Sequence, residues 1–163
     1  MEVLAPSTER WYSQPTSVQL EKHEASWLAG LIDGEGSIGI HKSFRSSGTV
    51  KYRPVVVVSN THLGLIQRIA SLIPGSIKIH NLGRHIAMSH KVLYQFNVRA
   101  IYQLELLEAI SPFLIIKYTQ AQLLSRMCTL LRESPNRGAV THHAVFERLW
   151  QECRELNKRG TGA

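Results

Sequence analysis

The chain has 163 residues, of which 44% are hydrophobic, and its 19 basic and 12 acidic residues give a net charge of +7. This length fits one domain with one core, and the basic balance favours a polyanionic partner without identifying it. No apolar run approaches the roughly 18 residues of a membrane-spanning helix, and no secretion signal is recognisable. Cys128 and Cys153 have no metal-ligand spacing and predict reduced core thiols. We therefore expect an intracellular protein without a membrane partner.

The predicted domain organisation is simple. Residues 1–20, rich in Pro, Ser and Thr, predict an N-terminal arm, followed by a single domain at 21–157 and a tail at 158–163. The first element is a helix from about His23 to Asp33. It has an apolar side and a side of small residues, which are Ala25, Ala29 and Gly30.

Two carboxylates, Asp33 and Glu35, stand among glycines where this helix ends. A helix C-terminus carries about half a negative charge, so it repels carboxylates unless a positive group joins them. A hard divalent cation prefers carboxylate and carbonyl oxygens. The pattern therefore predicts a divalent metal at this end of the helix.

The remaining elements predict an α+β fold of order αββαββα, with a four-stranded mixed or antiparallel sheet and C-terminal helices. Residues 37–43, 76–80 and 94–99 alternate as strands, and the apolar run Val55–Val58 within 52–59 predicts a central, buried strand. A helix with Asn60 or Thr61 as N-cap links the second and third strands, and Pro74–Gly75 stops it. After a further helix that ends at Ile110, Ser111–Pro112 predicts the start of a long helix that reaches about Arg132. The last helix covers about 145–156.

One face of the predicted sheet is polar in every strand and contains little acid. A polar strand face is often only solvated, but a sheet with this chemistry can also lie in the DNA major groove. Arginine and lysine pair with guanine or phosphate, and glutamine and asparagine pair with adenine. The candidate DNA-binding residues are Ser37, Gly39, His41, Ser43, Arg53, Lys78, His80, Gln95 and Asn97.

Three segments resemble the LAGLIDADG homing endonucleases. LAGLIDGEG, Leu28 to Gly36, is similar to the signature of this family, with Gly34-Glu35 at the Ala-Asp position, and the motif occurs once. SPFLIIKYTQAQLL resembles the segment that leads to an active-site lysine, which is Lys117 here. VVSNTHLGLI resembles a strand end where an amide side chain positions water, and this role falls on Asn60.

The resemblance implies a single-motif homodimer in which the motif helices pack across a two-fold axis. The implied interface residues are Ala25, Ala29, Gly30, Asp33 and Gly34, with a structural role for Asp33. Glu35, its symmetry mate and the Gly34 carbonyl would hold Mg²⁺, and Ca²⁺ would support binding without cleavage. Glu35, Lys117 and Asn60 are the implied catalytic residues.

The implied activity is that of an intron-encoded, site-specific endonuclease in a prokaryotic cytoplasm or an organelle matrix. It would break both strands of double-stranded DNA at a long pseudo-palindromic site and leave short 3′ overhangs. Two alternatives share the fold. An RNA-binding intron maturase predicts tight binding to structured RNA, and a non-catalytic DNA-binding regulator predicts DNA binding that is indifferent to Mg²⁺.

Overall fold

The computed structural model describes residues 15–80, 92–134 and 142–158. Its helices are α1 (Lys22–Glu35), α2 (Leu63–Leu72), α3 (Gln103–Ile110), α4 (Tyr118–Glu133) and α5 (His143–Leu156). Its strands are β1 (Gly36–Phe44), β2 (Val50–Asn60), β3 (Gly75–His80) and β4 (Leu93–Val98). The order αββαββα followed by α4 and α5 confirms the predicted fold class. Most of the predicted arm and tail lies outside the described residues, so the domain limits stay a prediction.

The four strands form one antiparallel sheet in the order β1-β2-β4-β3. Its register pairs Gly36 with Val58, and Val58 with Phe96. Side chains alternate between the two faces of a sheet, and Ile38, Val58 and Phe96 are buried on one of them. The helices pack on this face, and none of the described helices covers the other face.

Helix α1 lies against the buried face of the sheet through four residues at helical spacing. Ala25, Leu28, Ala29 and Ile32 are all buried, and positions separated by three and four residues share one side of a helix. Ala25 and Ala29 therefore belong to the core. This corrects their expected place on a partner-facing side, because their side chains are already covered within the chain.

Helix α5 covers the free edge of β1. The Asn157 amide, just after α5, donates a hydrogen bond to the Ile38 carbonyl at 3.0 Å. Glu147 of α5 accepts hydrogen bonds from Lys42 Nζ at 2.7 and 2.9 Å, so Lys42 points toward the helices. An open strand edge is a site for unwanted pairing, and α5 shields this one.

Within the described residues, no helix is long and apolar enough to cross a membrane.

Two predicted helix starts are wrong. Ser111–Phe113 forms only a short 3-10 turn, Leu114 is extended, and α4 begins at Tyr118. The N-cap of α2 is His62, whose ring nitrogen accepts a hydrogen bond from the Leu65 N–H at 3.3 Å. Before α4, the Asp33 carboxylate accepts hydrogen bonds from the backbone N–H groups of residues 115–117. At the start of α2, His62 caps the helix in place of Asn60 or Thr61.

Candidate active site and nucleic-acid interface

Glu35 is the last residue of α1, and its side chain is exposed. Among the described residues it has no hydrogen bond or ion pair. The next residue, Gly36, begins β1, and a β carbon there would lie 2.7 Å from Ile32 Cα. Only glycine therefore allows this close transition from helix to strand. The result is an uncompensated carboxylate at the negative end of a helix.

Asp33 has a different environment, because three backbone N–H groups point at its carboxylate. The donors are Ile115 at 2.7 Å, Ile116 at 3.2 Å and Lys117 at 2.9 Å. Partial burial acts to raise the pKa of Asp33, but these hydrogen bonds and the Lys117 charge outweigh it and lower the pKa below its ordinary value. The charge of Asp33 is thus satisfied within the chain, which supports its structural role and leaves Glu35 alone in need of a cation.

Lys117 is held at the same end of α1 as Glu35. Its ammonium group donates a hydrogen bond to the Asp33 carbonyl oxygen at 2.5 Å, while its backbone N–H bonds to the Asp33 carboxylate. A lysine that donates to the last carbonyls of a helix also opposes the negative end of the helix dipole. The structure therefore brings Lys117, predicted from a segment about 80 residues away, to the end of the motif helix.

Asn60 is the last residue of β2 and lies at the same end of the sheet as Glu35. Its side-chain oxygen accepts a hydrogen bond from the His62 N–H at 2.8 Å. Val58, two residues earlier, pairs with Gly36, the residue that follows Glu35. The position is compatible with a role near the end of α1, and the predicted water-positioning role stays a prediction.

We expect Asp33→Ala to lower the free energy of unfolding by about 1–3 kcal/mol, because three N–H groups lose a charged acceptor. Asp33→Asn should lose less, since one acceptor oxygen remains. The pKa of Asp33 is lowered on folding, so the stabilisation is fully present above 3.8, the ordinary value, and falls as the pH drops through the folded value. Urea unfolding should show the wild type and Asp33→Asn converging in acid. Equal stability of Asp33→Ala and the exposed-site control Glu108→Ala at pH 7 would contradict this account.

The sheet face opposite the helices gathers all nine candidate DNA-binding residues. The register places His41 opposite Arg53, Ser76 opposite Asn97, and Lys78 opposite Gln95. None of the four strands contains an aspartate or glutamate. We call this surface the polar face; the structure adds three residues to it, which are Lys51, Ser59 and Ser76.

Lys51 is not among the predicted DNA-binding residues, because the predicted strand begins one residue later, at Tyr52, whereas β2 begins at Val50. It pairs with Ser43 and is exposed. The alternation of β2 at every second residue would have placed it on the polar face with Arg53. The charge of this face therefore extends to the far end of the first hairpin.

The exposed side of α1 includes two glycines, and no contact among the described residues requires either of them. Within this part of the chain, a β carbon at Gly30 or Gly34 would meet no atom within 4 Å, and neither residue has a positive φ. Glycine in a helix costs about 1 kcal/mol relative to alanine. A close approach by a second backbone would explain both glycines.

Apolar side chains surround this glycine surface. Trp27, one turn before Gly30, is 39% exposed. Ile115 and Ile116, whose backbone bonds to Asp33, are 87% and 69% exposed. No sequence signal marks these three residues as a surface, because an apolar residue is typical of the core. Together with Gly30 and Gly34 they form what we call the glycine–isoleucine surface.

Comparison with solved structures identifies the class of fold. The chain has the fold of the LAGLIDADG homing endonucleases, as the motif implied. Homing endonuclease I-CvuI, in complex with its target in the presence of Ca²⁺, matches with a TM-score of 0.71 and 20% identity over 87% of both chains. Archaeal intron-encoded I-Vdi141I, complexed with DNA, matches with a TM-score of 0.68 and 18% identity over 86% of this chain and 88% of its own.

A third similar structure is larger. The LAGLIDADG homing endonuclease I-GzeII, in complex with a DNA target, matches with a TM-score of 0.56 and 18% identity over 90% of this chain but only 46% of its own. A further structure shows I-CvuI in complex with a target in the presence of Mg²⁺, with the DNA not cleaved. No protein-family model and no curated protein match the sequence.

Proposed function

We propose that this chain is one subunit of an intron-encoded, site-specific endonuclease of double-stranded DNA that requires a divalent metal. The observation that carries the proposal is Glu35, an exposed carboxylate at the negative end of α1 with no partner among the described residues. At the same helix end, the ammonium group of Lys117 bonds to the Asp33 carbonyl oxygen. The acid-free polar face provides a surface for the DNA. The fold supports this reading, because I-CvuI and I-Vdi141I are endonucleases in complexes with DNA.

We further propose that the active form is a homodimer joined through the glycine–isoleucine surface. Among the described residues, no group of three or more His, Cys, Asp and Glu side chains could hold a metal ion, so one chain contributes few ligands. A two-fold axis beside Gly30 and Gly34 would bring two copies of Glu35 together. The chain also corresponds to about half of I-GzeII. A symmetric dimer should recognise a pseudo-palindromic site.

The residues at the end of α1 fit Mg²⁺. The Glu35 carboxylate and the Gly34 carbonyl are hard oxygen donors, and DNA phosphate oxygens would complete the set. When bound, Mg²⁺ would activate a water molecule and stabilise charge on the leaving oxygen.

The other two residues act on the phosphate and the water. Lys117 would place its ammonium group near the phosphate that accumulates charge in the transition state. Asn60 would orient the attacking water. Two such centres related by a two-fold axis would break both strands at a fixed stagger and leave the short 3′ overhangs that the resemblance implies. The maturase and regulator alternatives have no observation in their favour, whereas an exposed carboxylate and a lysine ammonium group at the same end of α1 suit an endonuclease.

The proposal is tested by selection from a randomised duplex library. Protein in Ca²⁺ is used to capture DNA, and the captured DNA is then transferred to Mg²⁺. We expect a defined long site to be retained in Ca²⁺ and cut in Mg²⁺. Preferential retention of structured RNA in a parallel library would favour the maturase, and DNA that is bound but never cut would favour the regulator.

We expect Arg53→Ala to weaken binding to the selected site by about 1–3 kcal/mol and to relax the preference at one base pair if Arg53 reads a guanine. If Arg53 contacts a phosphate, the slope of the logarithm of the binding constant against the logarithm of the salt concentration should instead decrease by about one. Fluorescence anisotropy across a salt series measures both effects. The matched control is Arg148→Ala, on the exposed side of α5. Equal behaviour of the two variants would show that the polar face does not contact DNA.

A further inference from the structure

Two valines occupy the middle of the polar face. Val55 and Val57 point away from the buried Val56 and Val58, and both are half-buried. Their strand, β2, lies between β1 and β4 in the sheet. The pair therefore forms an apolar strip within the surface that faces DNA in the proposed function.

The neighbours of this strip differ from it chemically. Val55 pairs with Gly39, which has no side chain to cover it. Val57 lies between Ser37 on β1 and Asn97 on β4. Arg53 precedes the strip on the same side of β2, and Ser59 follows it. Hydrogen-bonding groups thus surround two side chains that cannot form hydrogen bonds.

The edges of the base pairs contain one group that suits such side chains. In the major groove, the C5 methyl group of thymine is the apolar feature of a base pair, and apolar side chains discriminate thymine by contacting it. We propose that Val55 and Val57 are specificity-determining residues that contact thymine methyl groups; the inference rests on the proposed DNA endonuclease function. A thymine contact also disfavours RNA as the bound nucleic acid, because RNA carries uracil and its major groove is too narrow for side chains.

The competing explanation is that valine is present only for its high strand propensity in a central strand. The two explanations differ in what they require of the DNA. Strand propensity is indifferent to a methyl group on a base, whereas a reading contact depends on it. A decisive test therefore changes the DNA and the protein separately and then together.

The experiment uses the full-length protein and the site selected in Ca²⁺. Each thymine is replaced in turn by deoxyuridine, which lacks only the methyl group, and the dissociation constant is measured. Loss of one buried methyl contact should weaken binding about fourfold, and loss in both half-sites about tenfold or more. In Val55→Ala or Val57→Ala, the loss at the contacted thymine should disappear while losses at other thymines persist.

Val57→Thr is a second variant, and it keeps strand propensity and one methyl group. Its affinity should therefore still fall, by less than in the wild type, when deoxyuridine replaces the thymine that Val57 contacts. Deoxyuridine that leaves wild-type binding unchanged at every thymine would overturn the inference without affecting the proposed nuclease. Equal losses in the wild type and both alanine variants would also overturn it. If no DNA is selected at all, the proposed function fails together with the inference. If an alanine variant does not fold, the wild-type scan decides alone.

Discussion

Glu35→Gln is expected to abolish cleavage and to leave DNA binding intact. The substitution keeps the size of the side chain but removes its charge, and a neutral amide is a much poorer Mg²⁺ ligand than a carboxylate. We expect the cleavage rate to fall by roughly a thousandfold or more, beyond the roughly 10–100-fold that loss of an outer-shell partner causes. The polar face is unchanged, so affinity in Ca²⁺ should persist.

The measurement is single-turnover cleavage of the selected site in Mg²⁺, beside a gel-shift in Ca²⁺. The matched control is Glu152→Gln, on the exposed side of α5, which should cut at the wild-type rate. Glu35→Asp should retain some activity, since the carboxylate remains at a shorter reach. Lys117→Ala should lose about 10²–10³-fold, as expected for removal of one charge-stabilising donor. Full cutting by Glu35→Gln would remove this residue from the mechanism.

Gly30→Val is expected to weaken dimer formation while leaving the subunit folded. A β carbon at Gly30 meets no atom of the described residues within 4 Å, and valine is a better helix former than glycine. Across a close helix crossing, overpacking costs about 1–3 kcal/mol at each copy, so dimer association should weaken by roughly 30-fold or more. Cleavage of both strands should be lost with it.

Sedimentation velocity and thermal unfolding together test this result. Gln122→Val, at an exposed position of α4, is the control and should leave the assembly unchanged. A Gly30→Val protein that stays dimeric at the same concentration would place the interface elsewhere. Ile116→Ser, on the same glycine–isoleucine surface, should weaken the dimer without adding bulk to α1.

The strands and the polar face could be predicted because alternation is a local property. In β1, β3 and β4 every second residue belongs to the same face, so the position of Ser37, Lys78 and Gln95 on one face follows from the sequence without any tertiary information. The error at Lys51 concerned only where β2 begins, and element boundaries are the least reliable part of such a reading.

The end of α1 could not be fully predicted, because its hydrogen bonds are long-range. Asp33 bonds to backbone groups 82–84 residues later in the chain, and this contact delays the start of α4 until Tyr118. Ser111–Pro112 is a good local helix start, but no local pattern reports a distant acceptor. Ala25 and Ala29 are a different case, since their spacing with Leu28 already indicated the core side of α1.

Two copies of Glu35 acting across one two-fold axis would leave a symmetric pair of breaks, which can be mapped on both strands of the cut DNA. Wild-type protein and Mg²⁺ are applied to the selected site, and the break on each strand is sequenced. We expect one break per strand, placed symmetrically about the centre of a pseudo-palindromic site, with short 3′ overhangs. A nick confined to one strand, or breaks with no common centre, would contradict it.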